Sequence, residues 1–127
     1  MMDIQSITSY ELERLLEENP DLSIIDVRED EEVAFGKIPE AKHIRLQELP
    51  NRVNELNKNE RHYIICHAGV RSYYACEYLQ SLGFDVVNVE GGMRDWQGEI
   101  MMAEIGLQGL GGLGEIRVEL AQQLQRR

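Results

Sequence analysis

Three observations predict an α/β fold with a mainly parallel sheet. Short apolar runs of strand length alternate along the chain with stretches at helical spacing. The run Tyr63 to Cys66 is continuously apolar, as suits a strand covered on both faces. The length of 127 residues fits one hydrophobic core and is too short for two.

The elements follow in order. Thr8 and Ser9 open a helix, and Thr8-x-x-Glu11 has the spacing of a capping box, in which each side chain satisfies the other's backbone N–H. Leu12, Leu15 and Leu16 form its apolar stripe, and Asn19-Pro20 stops it. Ser23 to Val27 is a short strand, and the charges of Asp26 and Arg28 suggest that it leaves the core at its C-terminal end. Asp30 to Phe35 is a short helix with Gly36 as its stop. Ile38-Pro39 breaks regular structure, Ala41 to Leu46 holds another short strand, and Leu49, Val53 and Leu56 recur at helical spacing.

After the strand ending at Cys66, a helix runs from about Ser72 to Leu82, closed by Gly83. Ala75, Tyr78, Leu79 and Leu82 give it a core face. Val86 to Val89 is the last clear strand, and Gly91-Gly92 turns into a short helix holding Trp96, a packing anchor and candidate pocket wall. From Gly106 the character changes: five glycines up to Gly114 make a flexible connector, and Ile116, Leu120 and Leu124 line a final helix. The domain is therefore assigned to residues 1–104, with 105–127 as a Gly-rich connector and amphipathic helix.

Composition narrows the function. A formal net charge of −10 and the lack of a Lys/Arg-rich stripe speak against a nucleic-acid partner, and the acidic balance gathers no anions from a distance. No apolar stretch is long enough to span a membrane, and Met1-Met2-Asp3-Ile4 lacks the order of a signal peptide, so a cytoplasmic protein is expected. The two cysteines, Cys66 and Cys76, are too few for a disulfide framework and are not spaced for zinc, so no metal site is expected. The mixed charges Glu115, Arg117 and Glu119 leave the last helix to pack on the domain or pair with a second copy as a homodimer.

The chemistry is expected at Cys66, which ends a buried strand just before a helix that starts at Ser72. In open α/β sheets, ligands bind beyond the carboxyl ends of the strands. A helix N-terminus offers unpaired N–H groups and partial positive charge, and a loop turned by Gly69 adds further inward N–H groups. Such a site favours thiolate, the nucleophilic form, and the fixed charge of Arg71 reinforces it.

The run C-H-A-G-V-R-S, Cys66 to Ser72, resembles the active-site loop of the rhodanese family. Ile24 to Glu29 (I-I-D-V-R-E), Phe35 to Pro39 (F-G-K-I-P) and Gly91 to Trp96 (G-G-M-R-D-W) resemble the same family in the correct order. The resemblance spans roughly the first hundred residues. It implies a single rhodanese-like domain with about five mainly parallel strands flanked by helices on both faces. It also implies a sulfurtransferase that needs no metal or organic cofactor. Cys66 would take a sulfane sulfur from thiosulfate, polysulfide or a persulfide donor and pass it to a thiol or cyanide. The sequence departs from the family pattern at Lys37, where His is common, at Glu40, where Gly is common, and at Arg45, where Pro is frequent; none lies in the loop.

Roles follow for single residues. Cys66 is the catalytic candidate, and His67, Ala68, Gly69, Val70, Arg71 and Ser72 are candidate substrate-binding residues. Arg71 is read as an anion or substrate contact, with pairing to Asp26 or Glu90 as its alternative. Asp26 and Arg28 are supporting residues that organise the loops around the pocket, and Cys76 fills a tight packing site. Two other functions stay open: a sulfur carrier or regulatory binding module that does not turn over, and a phosphatase or arsenate reductase. The second is disfavoured because those loops use C-x5-R, one residue longer than the C-x4-R found here.

Overall fold

A computed structural model describes residues 3–103, together with the backbone of 115–117. Seven strands and four helices are defined, joined by short 3-10 turns. The strands are β1 (Gln5–Thr8), β2 (Ser23–Asp26), β3 (Lys42–His43), β4 (Arg61–Ile65), β5 (Asp85–Glu90), β6 (Met101–Ala103) and β7 (Glu115–Arg117). The helices are α1 (Ser9–Glu18), α2 (Asp30–Ala34), α3 (Leu49–Arg52) and α4 (Val70–Ser81).

Five strands form one wholly parallel sheet in the order β1-β5-β4-β2-β3, which establishes the expected α/β architecture. Alternate residues of β4 and β5 face opposite layers, as the two-residue strand period requires. Ile64, Cys66 and Val86 point to a core built with Leu49, Ala75, Cys76 and Leu79, which places α3 and α4 on that face. Tyr63, Ile65, Val87 and Val89 point to a second core around Leu12 of α1, Met93 and Trp96. With both faces covered, consecutive residues such as Tyr63, Ile64 and Ile65 of β4 and Val86 and Val87 of β5 are apolar.

The capping box at the start of α1 forms as expected: Thr8 Oγ1 accepts from the Glu11 amide at 3.0 Å, and Glu11 Oε1 accepts from the Thr8 amide at 2.8 Å. Several expectations are corrected. Strand β1, with the polar sequence Gln-Ser-Ile-Thr, carries no apolar alternation, and it is the parallel pairing with β5 that fixes it. The end of β2 does not leave the core. Asp26 is 0% exposed and Arg28 5%, because each neutralises the other. On α4, Tyr78 and Leu82 are exposed, and the buried face is instead Ser72, Ala75, Cys76 and Leu79.

Beyond β5 the chain forms two further strands. Met101 exchanges backbone hydrogen bonds with Lys37, and β6 pairs antiparallel with β7. The final helix was expected to include Ile116, but that residue lies in β7. Leu120, Leu124 and the glycine-rich connector lie outside the described residues.

Candidate active site

Cys66 follows directly on β4, the central strand, which pairs with β2 on one side and β5 on the other. The chain turns through His67, Ala68 and Gly69 and enters α4 at Val70. Gly69 adopts φ +95°, in the left-handed region that favours glycine, and a Cβ there would press within 3.2 Å of the Gly91 nitrogen.

This turn wraps the loop around the sulfur. Cys66 Sγ accepts from the amides of Gly69 at 3.2 Å and Ser72 at 3.3 Å, and it lies 3.2 Å from the Ser72 hydroxyl. Burial pushes the Cys66 thiol up. With its proton turned to the sulfur, the Ser72 hydroxyl joins the amides of Ser72, Gly69 and Ala68 in outweighing burial and holding the thiol below its ordinary value. Cys76, one turn further along α4, has no such partners. Burial first, then the nearby Cys66, push it up to about 12. The two cysteines are thus chemically opposite although both are buried.

A second turn supports the first from below. The Met93 amide donates to the Cys66 carbonyl and the Arg94 amide to that of His67, each at 2.9 Å. Gly92, at φ +50°, permits this approach; a Cβ there would fall within 2.6 Å of the His67 oxygen and closer still to that of Cys66.

Arg71 is turned to Glu32 of α2, with Nη1 to Oε1 at 2.7 Å and Nη2 to Oε2 at 2.8 Å. The partners expected as its alternative, Asp26 and Glu90, are not the ones it finds. The permanent cation of the loop is therefore neutralised within the chain. Arg28 grips Asp26 through both Nε and Nη2, and it donates to the Gly36 carbonyl at 2.8 Å and that of Glu32 at 3.4 Å. It thereby ties the middle of α2 and the turn after it to Asp26. His67 is exposed.

Two clefts touch the loop. One, about 310 Å³, is lined by Arg28, Glu32, Phe35, His67, Arg94 and Trp96. The other, about 320 Å³, is lined by Ala68, Gly69, Val70, Tyr73 and Tyr74. Cys66 itself is 1% exposed.

Asn88 of β5 is the site residue that the sequence reading missed. It is buried, accepts from the Ser72 hydroxyl at 2.6 Å, and donates to the Gly69 carbonyl at 3.2 Å. Its signal was a lone amide within the apolar run Val86 to Val89. His62, assigned nothing from sequence, is a buried structural residue bonded to Ser23 and to the Asn57 carbonyl.

The fold and site together thus define a parallel α/β domain with an amide-cradled thiol at the carboxyl end of its central strand. Residues 8–99 match the Rhodanese-like domain, and the chain belongs to that family. It is 47% identical over 98 residues to the candidate sulfurtransferase YtwF of Bacillus subtilis (strain 168), covering 77% of this chain and 95% of that protein. It is 35% identical over 94 residues to a sulfurtransferase of Allochromatium vinosum, covering 73% and 88%. Among solved structures, a rhodanese-like domain protein from Staphylococcus aureus superposes with a TM-score of 0.71 at 50% identity, covering 73% of this chain and 91% of that one.

Proposed function

We propose that the protein is a sulfurtransferase that carries sulfur as a persulfide on Cys66. The observation that carries this reading is the cradle: a thiol held below its ordinary value by the Gly69 and Ser72 amides at the start of α4. The Cys66 thiolate attacks the outer sulfur of a donor. The Cys66 S–S bond forms, the donor's S–S bond breaks, and the donor leaves with its electron pair as sulfite or a thiolate. The charge then sits on the outer sulfur of Cys66–S–S⁻. Val70 and Arg71 open α4, where amides have no intrahelical acceptor, and these are the groups available to that sulfur. A thiol or cyanide acceptor then attacks the outer sulfur and returns the Cys66 thiolate. The chain's own residues suffice for both steps.

A phosphatase needs a guanidinium aimed at the phosphate. Here Glu32 already engages both terminal nitrogens of Arg71, which supports the sulfur reading over the phosphate one. The acceptor is proposed to be a small or protein-borne thiol, in a reducing compartment such as the cytoplasm, where thiols stay free. Among the described residues no helix is long and apolar enough to cross a membrane.

The test is intact mass after incubation with thiosulfate or polysulfide. A gain of about 32 Da, one sulfur atom, is expected in wild type and Cys76→Ser but not in Cys66→Ser. Should no donor load the wild-type protein while a partner binds it regardless of Cys66, a regulatory binding module is the better reading.

A further inference from the structure

The Ser72 hydroxyl has one proton and two neighbours that compete for it. Asn88 Nδ2 donates to the Gly69 carbonyl at 3.2 Å, which fixes the amide so that Oδ1 faces Ser72 Oγ at 2.6 Å. A carbonyl oxygen only accepts, so in that contact the hydroxyl must donate. Cys66 Sγ lies 3.2 Å from the same Oγ, and while the proton is engaged only lone pairs face the sulfur.

A neutral thiol fits this arrangement. Its S–H donates to Ser72, Ser72 donates to Asn88, and Asn88 donates to Gly69. A thiolate keeps the Gly69 and Ser72 amides but meets the hydroxyl at a cost. Either lone pairs oppose its charge, or Ser72 turns its proton to the sulfur and strands Asn88 Oδ1. Asn88 is 4% exposed, and losing the partner of so buried an acceptor is costly. A persulfide differs again, because its charge lies on the outer sulfur, one bond away from Ser72.

We propose that Asn88 is a positioning residue: it withholds the Ser72 hydroxyl proton from Cys66 and so restrains ionisation of the free thiol relative to the persulfide. This inference deepens the sulfurtransferase reading of Cys66 and rests on it. The charged and titratable groups on the elements packed around Cys66 include Asp26 at the end of β2 and Arg28 after it, Glu29 to Glu32 at α2, Arg61, His62 and Tyr63 on β4, His67 in the loop, Arg71, Tyr73, Tyr74, Cys76, Glu77 and Tyr78 on α4, Asp85 and Glu90 on β5, and Arg94 and Asp95 in the turn beyond. Replacing Asn88 alters none of them, so a change in titration reports the competition for the Ser72 proton.

The experiment is the pH profile of Cys66 alkylation by iodoacetamide, read by peptide mass, in Asn88→Val, Ser72→Ala and the double variant. Valine suits a strand already made of valines. Asn88→Val is expected to lower the midpoint by about one unit, the size of one hydrogen bond lost to the competing acceptor. The shift is expected to vanish when Ser72 is already alanine. If Asn88 merely braces the Gly69 carbonyl, its loss loosens the amide cradle and the midpoint rises. An unchanged or raised midpoint, or a fall that persists without Ser72, overturns the proposal. Asn88→Ala carries the same reading should the valine variant be recovered unfolded. Alkylation needs no sulfur donor, so failure of the persulfide reading shows separately: Asn88→Val shifts the midpoint as expected here, yet the wild-type protein never gains sulfur.

Discussion

Arg71 and Glu32 face each other beside the Cys66 loop in a two-pronged ion pair, although 39 residues separate them in the chain. The pair fastens the first turn of α4 to α2, so the loop is held from the side as well as from below. The Arg71 guanidinium is the main reason that the Glu32 carboxyl sits at about 2, against 4.5 when free. A carboxyl depressed in the folded state stabilises it fully above its unfolded value and ceases to do so as the folded group protonates. Glu32→Gln is therefore expected to melt below wild type at neutral pH. The gap should close as pH falls from about 4.5 toward 2. Thermal melts across that range check it, and a gap that is constant with pH would contradict the assignment.

The two thiols should part cleanly in reactivity. Near neutral pH, iodoacetamide is expected to modify Cys66 and to leave Cys76 intact until the protein is unfolded. Both are buried, but Cys76 is pushed up to about 12 whereas the cradle holds Cys66 below its ordinary value. Comparable labelling of both in the folded protein would argue against the cradle.

Asp26→Asn removes the charge that neutralises Arg28, which is only 5% exposed. Leaving a buried guanidinium uncompensated costs about 3–5 kcal/mol. Replacing both residues together by apolar side chains of similar volume is expected to recover much of that loss. Urea unfolding of the single and double variants measures it.

Gly92→Ala should destabilise the fold by about 2–4 kcal/mol, combining a left-handed backbone with a clash. The added methyl would meet the Cys66 and His67 carbonyl oxygens, so the cost falls on the loop itself. The preference of iodoacetamide for Cys66 over Cys76 is expected to shrink in the same variant, as the amides lose their aim.

Local signals explain what could be read from the chain alone. The Thr8 and Glu11 pair states a helix start because both partners lie within one turn. The cysteine loop was legible because a strand, a glycine and a helix start succeed each other without a break. What escaped depends on residues distant in sequence. Strand β1 exists through β5, about eighty residues later. The Glu32 partner of Arg71 lies on an element whose placement no local pattern fixes, and the burial of Asp26 and Arg28 follows from their mutual neutralisation. Tyr78 and Leu82 looked like core by periodicity, yet the sheet below α4 is met by Ser72 and Cys76 instead. Asn88 is the intermediate case. Its polarity inside an apolar strand was visible, while its partners across the loop were not.

The place of β4 between β5 and β2 carries a consequence for endurance. Amides on an inner strand exchange with solvent only when the whole domain opens, whereas those on an outer strand such as β3 are released by local fraying. The rail on which Cys66 is mounted is thus expected to be the last part of the molecule to loosen under heat or denaturant. Deuterium uptake at Ile64 and Ile65 would then track global unfolding, and the reactive sulfur would keep its address for as long as any of the native structure endures.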